Sequence, residues 1–439
     1  MSQVVMSRKK LLGESVLSEE TFLKVEELTK ADIVVGIPSY NNRNTIKHVV
    51  RAVQYGLAKY FPRHKAVLVN SDGGSRDGTR EIVEETGVYT DMETILIKHQ
   101  VKPAQKLVTP YCGLPGKGSA FHTIFEIAVR LDAKACIVVD SDLRSITPEW
   151  VELLAGPILM KDYDFVAPLY SRYKYDGTIT NSIIYPASRA LYGRRIRQPI
   201  GGDFGFSRRL AKHYLSRDIW GTDIAKFGID IWMSTKAICE GFKICQAFLG
   251  AKIHDAKDPA QSLGPMFQQV IGTMFTLMER YEPLWKDVRK SKPTALYGFC
   301  SEVYPEAIVV DADRMIEKFV AGYAENKDFL KEFLPEERME ELEGMASRSD
   351  HQFVFPMQVW VRLVWDYAVA YHRSPKDDKA INRLMLSMVP LYFGRTASFV
   401  KETWNMPTYE AEDVVERLCD IYEQEKGYIV RRWFDEAGG

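Results

Sequence analysis

In the run Lys134-Ala135-Cys136-Ile137-Val138-Val139-Asp140-Ser141-Asp142-Leu143, two carboxylates one residue apart follow four consecutive apolar residues. Three of the four are β-branched, which predicts a strand buried on both faces, as in a parallel sheet covered by helices. Asp140 and Asp142 then fall where the strand gives way to loop, the rim at which open α/β sheets bind ligands. The nearest cation in sequence is Arg144. Paired carboxylates left there suit a hard divalent cation, Mg2+ or Mn2+, that also holds phosphate oxygens. An isolated Asp-x-Asp is more often a polar turn, so the neighbouring motifs decide.

Those motifs recur along the chain. Gly116-Lys117-Gly118 opens an apolar helix, and a glycine-flanked lysine at a helix start is a natural phosphate site, although the spacing is not that of a P-loop. Asp72 sits in the glycine-rich stretch 70–79, where backbone can approach a flat ligand and a carboxylate can accept hydrogen bonds from a base or ribose. The turn 198–206 carries Gly201 and Gly202, whose amides can face a ligand. Asp223 and Asp230 flank Phe227-Gly228-Ile229, with Asp230 also fit to cap a helix beginning at Ile231. The polar loop 171–180 contains Arg172, Lys174, Asp176 and Thr180.

The elements that must position these groups alternate. Ser18 caps a short helix over 17–29. A buried strand over Asp32–Pro38 runs into the loop Ser39-Tyr40-Asn41-Asn42, and a helix follows with Asn44 or Thr45 at its N-cap. Further strands are expected at 66–69, 94–97, 135–139 and 165–170, and an edge strand at 244–253 delivers His254 and Asp255 to a rim. Strands alternating with helices give an α/β fold with a mostly parallel sheet. From about residue 260 the pattern becomes helical, as in 266–281, 354–371 and 413–422. The expected division is therefore a helical lead-in at 1–30, an α/β domain at 31–260 and a helical C-terminal domain at 261–439.

A length of 439 residues suits two domains, and 46% apolar with 27% charged residues is ordinary for a globular protein. A net charge of −1 gives no reason to expect nucleic acid as a partner. No apolar run approaches the roughly 20 residues of a membrane span. The first 30 residues read as no signal peptide, and six scattered cysteines without a C-x-x-C pair point to reduced thiols and a cytoplasmic location.

Taken in order, Ile37-Pro38-Ser39-Tyr40-Asn41-Asn42, the stretch 71–79, Pro115-Gly116-Lys117-Gly118, Val139-Asp140-Ser141-Asp142, Gln198-Pro199-Ile200-Gly201-Gly202-Asp203, Phe227-Gly228-Ile229-Asp230 and Ile253-His254 resemble the nucleotide-sugar glycosyltransferases of the GT-A fold. The resemblance is greatest to the retaining synthases of glucosyl-3-phosphoglycerate and mannosylglycerate, and it spans residues 32 to about 258. It implies that Pro38, Ser39, Tyr40, Asn42, Asp72, Asp140 and Ser141 hold the nucleotide sugar, with Lys117 on the diphosphate. Asp142 and His254 would bind Mg2+ or Mn2+. Arg172, Thr178 and Thr180 would grip the acceptor carboxylate, above a floor formed by Gly201 and Gly202. Asp230 is implied as the carboxylate under the sugar, in a positioning role, with Lys117 as its catalytic companion. The chain lacks the arginine near Thr178 and the asparagine near Ala256 of phosphoglycerate-using relatives, which leaves glycerate or another small hydroxy acid open as acceptor. The donor is expected to be of the UDP-glucose or GDP-mannose type, and a homodimer is left open.

Two other classes stand beside this reading. An inverting transferase acting on a saccharide would usually show membrane spans and a Q-x-x-R-W motif, and neither is present. A sugar-nucleotide sensor without catalysis would not need Asp142 and His254.

Overall fold

The computed structural model describes residues 15–87, 104–111, 116–222, 228–254, 259–301, 303–348 and 353–435. Within them the chain divides into two compact units. One comprises the described residues within 1–171, 198–257 and 294–305, the other those within 172–197, 258–293 and 306–439. A single cut near residue 260 does not reproduce this division, because 172–197 packs with the helices and 294–305 with the sheet.

The first unit is built on eight strands: β1 (Ile33–Ser39), β2 (Ala66–Asp72), β3 (Gln105–Pro110), β4 (Ala135–Val138), β5 (Phe165–Ser171), β6 (Phe204–Ser207), β7 (Ile244–Ala251) and β8 (Ala295–Tyr297). Their order across the sheet is β8-β7-β5-β6-β4-β1-β2-β3. All neighbours are parallel except β6, which runs antiparallel between β4 and β5. The architecture is thus the expected one, an α/β fold with a mostly parallel sheet and a helical C-terminal region. β4 is buried throughout, as its apolar run requires. Register pairs Gly36 with Val138 and Ser39 with Asp72, which brings the carboxyl ends of β1, β2 and β4 to one rim.

Helices cover the sheet. Ile33, Val35 and Ile37 of β1 and Ile137 of β4 join Val49, Val53 and Trp150 in one core cluster. Helix Lys117–Arg130 lies so close to β1 that a Cβ on Gly36 would sit 2.5 Å from the Ile124 side chain. Glycine at that point lets the helix, and Lys117 at its start, press onto the strand.

Several sequence expectations are refined. Ser18 does cap helix Glu19–Leu28, its Oγ accepting from Thr21 N. Thr45 occupies the N-cap of helix Ile46–Tyr60 without capping it, since its hydroxyl donates instead to the Ser141 carbonyl at 2.8 Å. β7 is not an edge strand, because β8 pairs outside it. Helix Ile229–Cys239 begins before Asp230, which lies in its first turn and is not its cap. The strand expected at 94–97 lies outside the described residues, as do Pro115, Asp223, Phe227 and Asp255.

In the second unit the expected helical stretches form Pro259–Arg280, Met357–Arg373 and Thr408–Gln424, accompanied by the long helix Asp378–Thr403. The segment 172–197 belongs here for definite reasons. Lys174 Nζ donates to the carbonyls of Thr403 and Met406 at 2.7 Å each, closing the end of the long helix. Tyr175 and Tyr185 bury their rings with Phe399, Val400, Val414 and Val415. No helix among the described residues is long and apolar enough to cross a membrane.

Candidate functional site

The rim of the sheet holds a network of five charged side chains drawn from five places in the sequence. Lys117 Nζ lies 2.8 Å from Asp140 Oδ1 and 3.3 Å from Asp230 Oδ2. Lys252 Nζ lies 2.9 Å from Asp140 Oδ2, 2.8 Å from Asp203 Oδ2 and 2.8 Å from the Gly201 carbonyl oxygen. The Asp140 amide donates to Asp203 Oδ1 at 2.7 Å, and the Tyr170 hydroxyl donates to Asp203 Oδ2. Asp140 therefore has two close cations, contrary to the expectation of a carboxylate left unpaired at the rim. Both lysines reach it only through the fold.

Geometry sets the charge of each member. Burial opposes ionisation of Asp140, but Lys117 and Lys252 outweigh it and hold the carboxyl far below its usual range. Burial likewise works against the Lys117 ammonium, and Asp140 with Asp230 overcomes it, keeping the lysine charged well beyond its ordinary limit. Asp203 and Asp230 go the other way. Burial raises both, with the negative charge of Asp140 adding to it and the lysines opposing. Asp230 is 8% exposed, and its Oδ1 has no hydrogen-bond partner among the described residues.

The glycine turn serves this network. Gly202 has φ +93°, and a Cβ there would stand 2.3 Å from Asp140 Oδ2. The turn and the carboxylate can meet only at a residue without a side chain. Gly201 contributes its carbonyl to Lys252. In this structure both glycines thus act on Asp140 and Lys252.

The segments that carry Asp142 and His254 are joined by a different device. Leu143 and His254 form an isolated antiparallel bridge, with Arg144 N donating to the Ile253 carbonyl at 2.8 Å and Ile253 N to Ser145 Oγ at 2.9 Å. The end of β7 is thereby tied to the loop after β4, next to Asp142. Among the described residues no group of three or more His, Cys, Asp and Glu side chains is placed to hold a metal.

The expected nucleotide residues form the adjoining part of the rim. Asp72 Oδ1 accepts from the amides of Gly74 and Ser75 at 2.9 and 2.8 Å, and Oδ2 from the hydroxyls of Ser39 and Ser75 at 2.9 and 2.6 Å. Four donors occupy the four acceptor sites of the carboxylate, so Asp72 shapes its loop here. Asn42 Oδ1 accepts from Tyr40 N at 2.9 Å and Ser141 Oγ at 2.8 Å, linking the loop after β1 to the Asp-Ser-Asp segment. Pro38 pairs with Ser71 in the β1–β2 ladder. Tyr40 is 63% exposed, and its ring and that of Tyr111 both come within 3.2 Å of where a Cβ on Gly73 would stand.

Arg172, Thr178 and Thr180 lie in the second unit. Arg172 Nη1 is 3.7 Å from Asp176 Oδ2. Thr178 Oγ1 shares a hydrogen bond with the Tyr392 hydroxyl, and Thr180 is buried at the start of a π-helix, Thr180–Ile184. Sequence reasoning passed over Lys252, Tyr170 and Tyr111, and gave Asp203 a part only as the end of the floor turn 198–203. Lys252 had one available signal, its place two residues before His254 on the same strand end.

An open, mostly parallel α/β sheet with an ionised carboxylate–lysine network at its carboxyl rim is the class that fold and site define. No protein-family model matches the chain. The chain is 24% identical over 281 residues to the glucosyl-3-phosphoglycerate synthase of Petrotoga mobilis, across 60% of this chain and 78% of that protein. Among solved structures, it is similar to the glucosyl-3-phosphoglycerate synthase of Mycobacterium tuberculosis in complex with Mg2+ and uridine diphosphate, at 22% identity over 59% of this chain and 83% of that one, with a TM-score of 0.40. For the complex of that enzyme with Mn2+, uridine diphosphate and phosphoglyceric acid, the values are 23%, 57%, 81% and 0.41.

Proposed function

We propose that this chain is a glycosyltransferase that moves a hexose from a nucleoside-diphosphate sugar to a glycerate-type acceptor, with Mg2+ or Mn2+ held by Asp142 and His254. The observation that supports the reading is the Leu143–His254 bridge, which ties the segment carrying His254 to the loop that carries Asp142, at the rim where Lys117, Asp140 and Asp230 meet. The named relative, glucosyl-3-phosphoglycerate synthase, supports the choice of donor and acceptor class.

One carboxylate oxygen and one imidazole nitrogen fit a cation that keeps most of its positions for water and phosphate oxygens, as Mg2+ and Mn2+ do. When bound, such a cation supplies charge stabilisation to the departing diphosphate. The remaining work falls to the chain. Lys117, charged and held between Asp140 and Asp230, adds fixed positive charge on the diphosphate side. Asp140 keeps Lys117 in place, and Lys252 with Asp203 keeps Asp140 in place. Asp230, with Oδ1 unengaged, is suited to accept a hydrogen bond from a sugar hydroxyl. Tyr40 and Tyr111 offer faces for the base, and Asp72 acts by holding the glycine loop.

The anomeric carbon loses its bond to the diphosphate oxygen and gains one to the acceptor oxygen, while the acceptor proton passes to the leaving phosphate on the same face. Retention by this route, and the acceptor roles of Arg172, Thr178 and Thr180, rest on the family resemblance. A panel of UDP-glucose and GDP-mannose against glycerate and 3-phosphoglycerate, with and without chelator, tests the reading, and proton NMR of the product gives its anomeric configuration. Absence of chelator-sensitive nucleotide release for every pair would sink it.

A further inference from the structure

Ser141 stands between the two rim carboxylates and is 7% exposed. Its hydroxyl and its carbonyl are both taken by one loop, the turn that follows β1. The hydroxyl donates to Asn42 Oδ1 at 2.8 Å, and the carbonyl accepts from Thr45 Oγ1 at 2.8 Å. The second of these bonds is buried and joins residues 96 apart in sequence.

Thr45 is available for this because helix Ile46–Tyr60 starts without it. A threonine before a helix ordinarily has an extended backbone, and its hydroxyl accepts from an amide of the first turn. Thr45 has φ −118° and ψ −30°, and its side chain makes no capping bond. The Asn42 carbonyl receives the leading amides instead, from Thr45 N at 3.1 Å and Ile46 N at 3.0 Å. A helix start that forgoes its hydroxyl cap departs from the local rule, and such departures collect where a site must be held.

The mount is rigid. Ile46, Val49 and Val50 are fully buried in the same core cluster as Val139 and Leu143, which bracket the Asp140-Ser141-Asp142 segment. Apolar packing fixes where that segment begins and ends, but not the rotation of the peptides between. Asp140 is held by its own partners, with its amide on Asp203 and its carboxylate on Lys117 and Lys252. The Asp142 carboxylate has no hydrogen bond or ion pair among the described residues, so its direction follows from its backbone.

We propose that Thr45 is a positioning residue: by holding the Ser141 carbonyl it fixes the peptide from which Asp142 projects, and with it the direction of that carboxylate. The inference rests on the reading of Asp142 as a ligand of Mg2+ or Mn2+. Outer groups that orient a metal ligand commonly change affinity by about tenfold to a hundredfold. Tyr40 N also donates to Asn42 Oδ1, at 2.9 Å, so the loop that grips Ser141 carries the tyrosine offered to the base. The grip thereby ties the nucleotide side of the rim to the Asp142 side.

The test removes the hydroxyl in Thr45→Val and Thr45→Ala, with and without keeping the shape of the side chain, and keeps it in Thr45→Ser. In the unliganded full chain, hydrogen exchange is followed at the Asp140 and Arg144 amides, which are bonded at 2.7 and 2.8 Å on either side of Ser141. Exchange at both should be at least about fivefold faster without the hydroxyl and near native in Thr45→Ser. Mn2+ affinity in the presence of uridine diphosphate, read by electron paramagnetic resonance well below the melting temperature, should fall at least about tenfold without the hydroxyl and recover in Thr45→Ser. A purely structural role would lower the melting temperature and leave Mn2+ affinity native, and that result overturns the proposal, as does unchanged exchange at the two amides. Failure of the native chain to bind Mn2+ with uridine diphosphate overturns the metal reading of Asp142 and this inference together, and is told apart by appearing before any substitution is made.

Discussion

Lys252 reaches back from the end of β7 to Asp140 at the end of β4, its Nζ 2.9 Å from Oδ2, although 112 residues separate them in sequence. The same ammonium holds Asp203 and the Gly201 carbonyl. One buried cation therefore fixes the glycine turn, the first carboxylate of the Asp-Ser-Asp segment and the strand that carries His254.

Removing that cation leaves Asp203 without an ammonium and Asp140 with Lys117 alone. Lys252→Met should lower stability at pH 7 by about 3–5 kcal/mol, the scale for breaking a buried pair. With the lysine gone, the folded carboxyls bind a proton more readily than the unfolded chain, so part of the loss should return as pH falls. Chemical denaturation at pH 7 and pH 5 checks both statements.

Asp142→Ala should preserve the fold, since Asp142 lies in the loop after β4 and outside the core. Its Mn2+ affinity, followed by electron paramagnetic resonance, should drop at least about tenfold, and turnover by about a hundredfold or more. Unchanged Mn2+ binding would remove Asp142 from the metal site.

Gly202→Ala places a methyl 2.3 Å from Asp140 Oδ2 at a positive φ. A cost of about 2 kcal/mol or more is expected from strain and displacement of the carboxylate. The melting temperature reads it directly. Alanine at Gly221, where nothing lies within 4 Å of the added Cβ, is the control.

Asp230 has its carboxyl raised above the usual range, first by burial. Its contribution to stability is full below the unfolded pKa and declines as pH rises through the folded one. Asp230→Asn is free of that decline, so its melting temperature relative to the native chain should rise with pH through this window. Its turnover should fall by about tenfold or more if Asp230 touches the sugar.

His122 stacks on Trp220 at 4.3 Å, and burial lowers its pKa to about 4. A depressed value contributes stability that is present above the ordinary 6.5 and is lost as pH falls through 4. His122→Phe should flatten the acid side of the stability curve between those values, as equilibrium unfolding at stepped pH would show.

The apolar runs of β1, β2 and β4, the helical periodicities after residue 260 and the rim position of the Asp-Ser-Asp segment were legible in the sequence, because burial and alternation are local and leave their period in the chain. Lys117 was legible as a helix-opening lysine, though its partners were not. The antiparallel insertion of β6, the covering of β7 by β8, the pairing of Lys117 and Lys252 with Asp140, and the joining of Arg172–Arg197 to the helical unit were decided only in three dimensions. Each depends on contacts between segments far apart in sequence, and neither strand order nor the partner of a charge is encoded in local spacing. The same holds for Asp72, whose residue type announced an acceptor while the folded loop determined that its own amides and hydroxyls would occupy it.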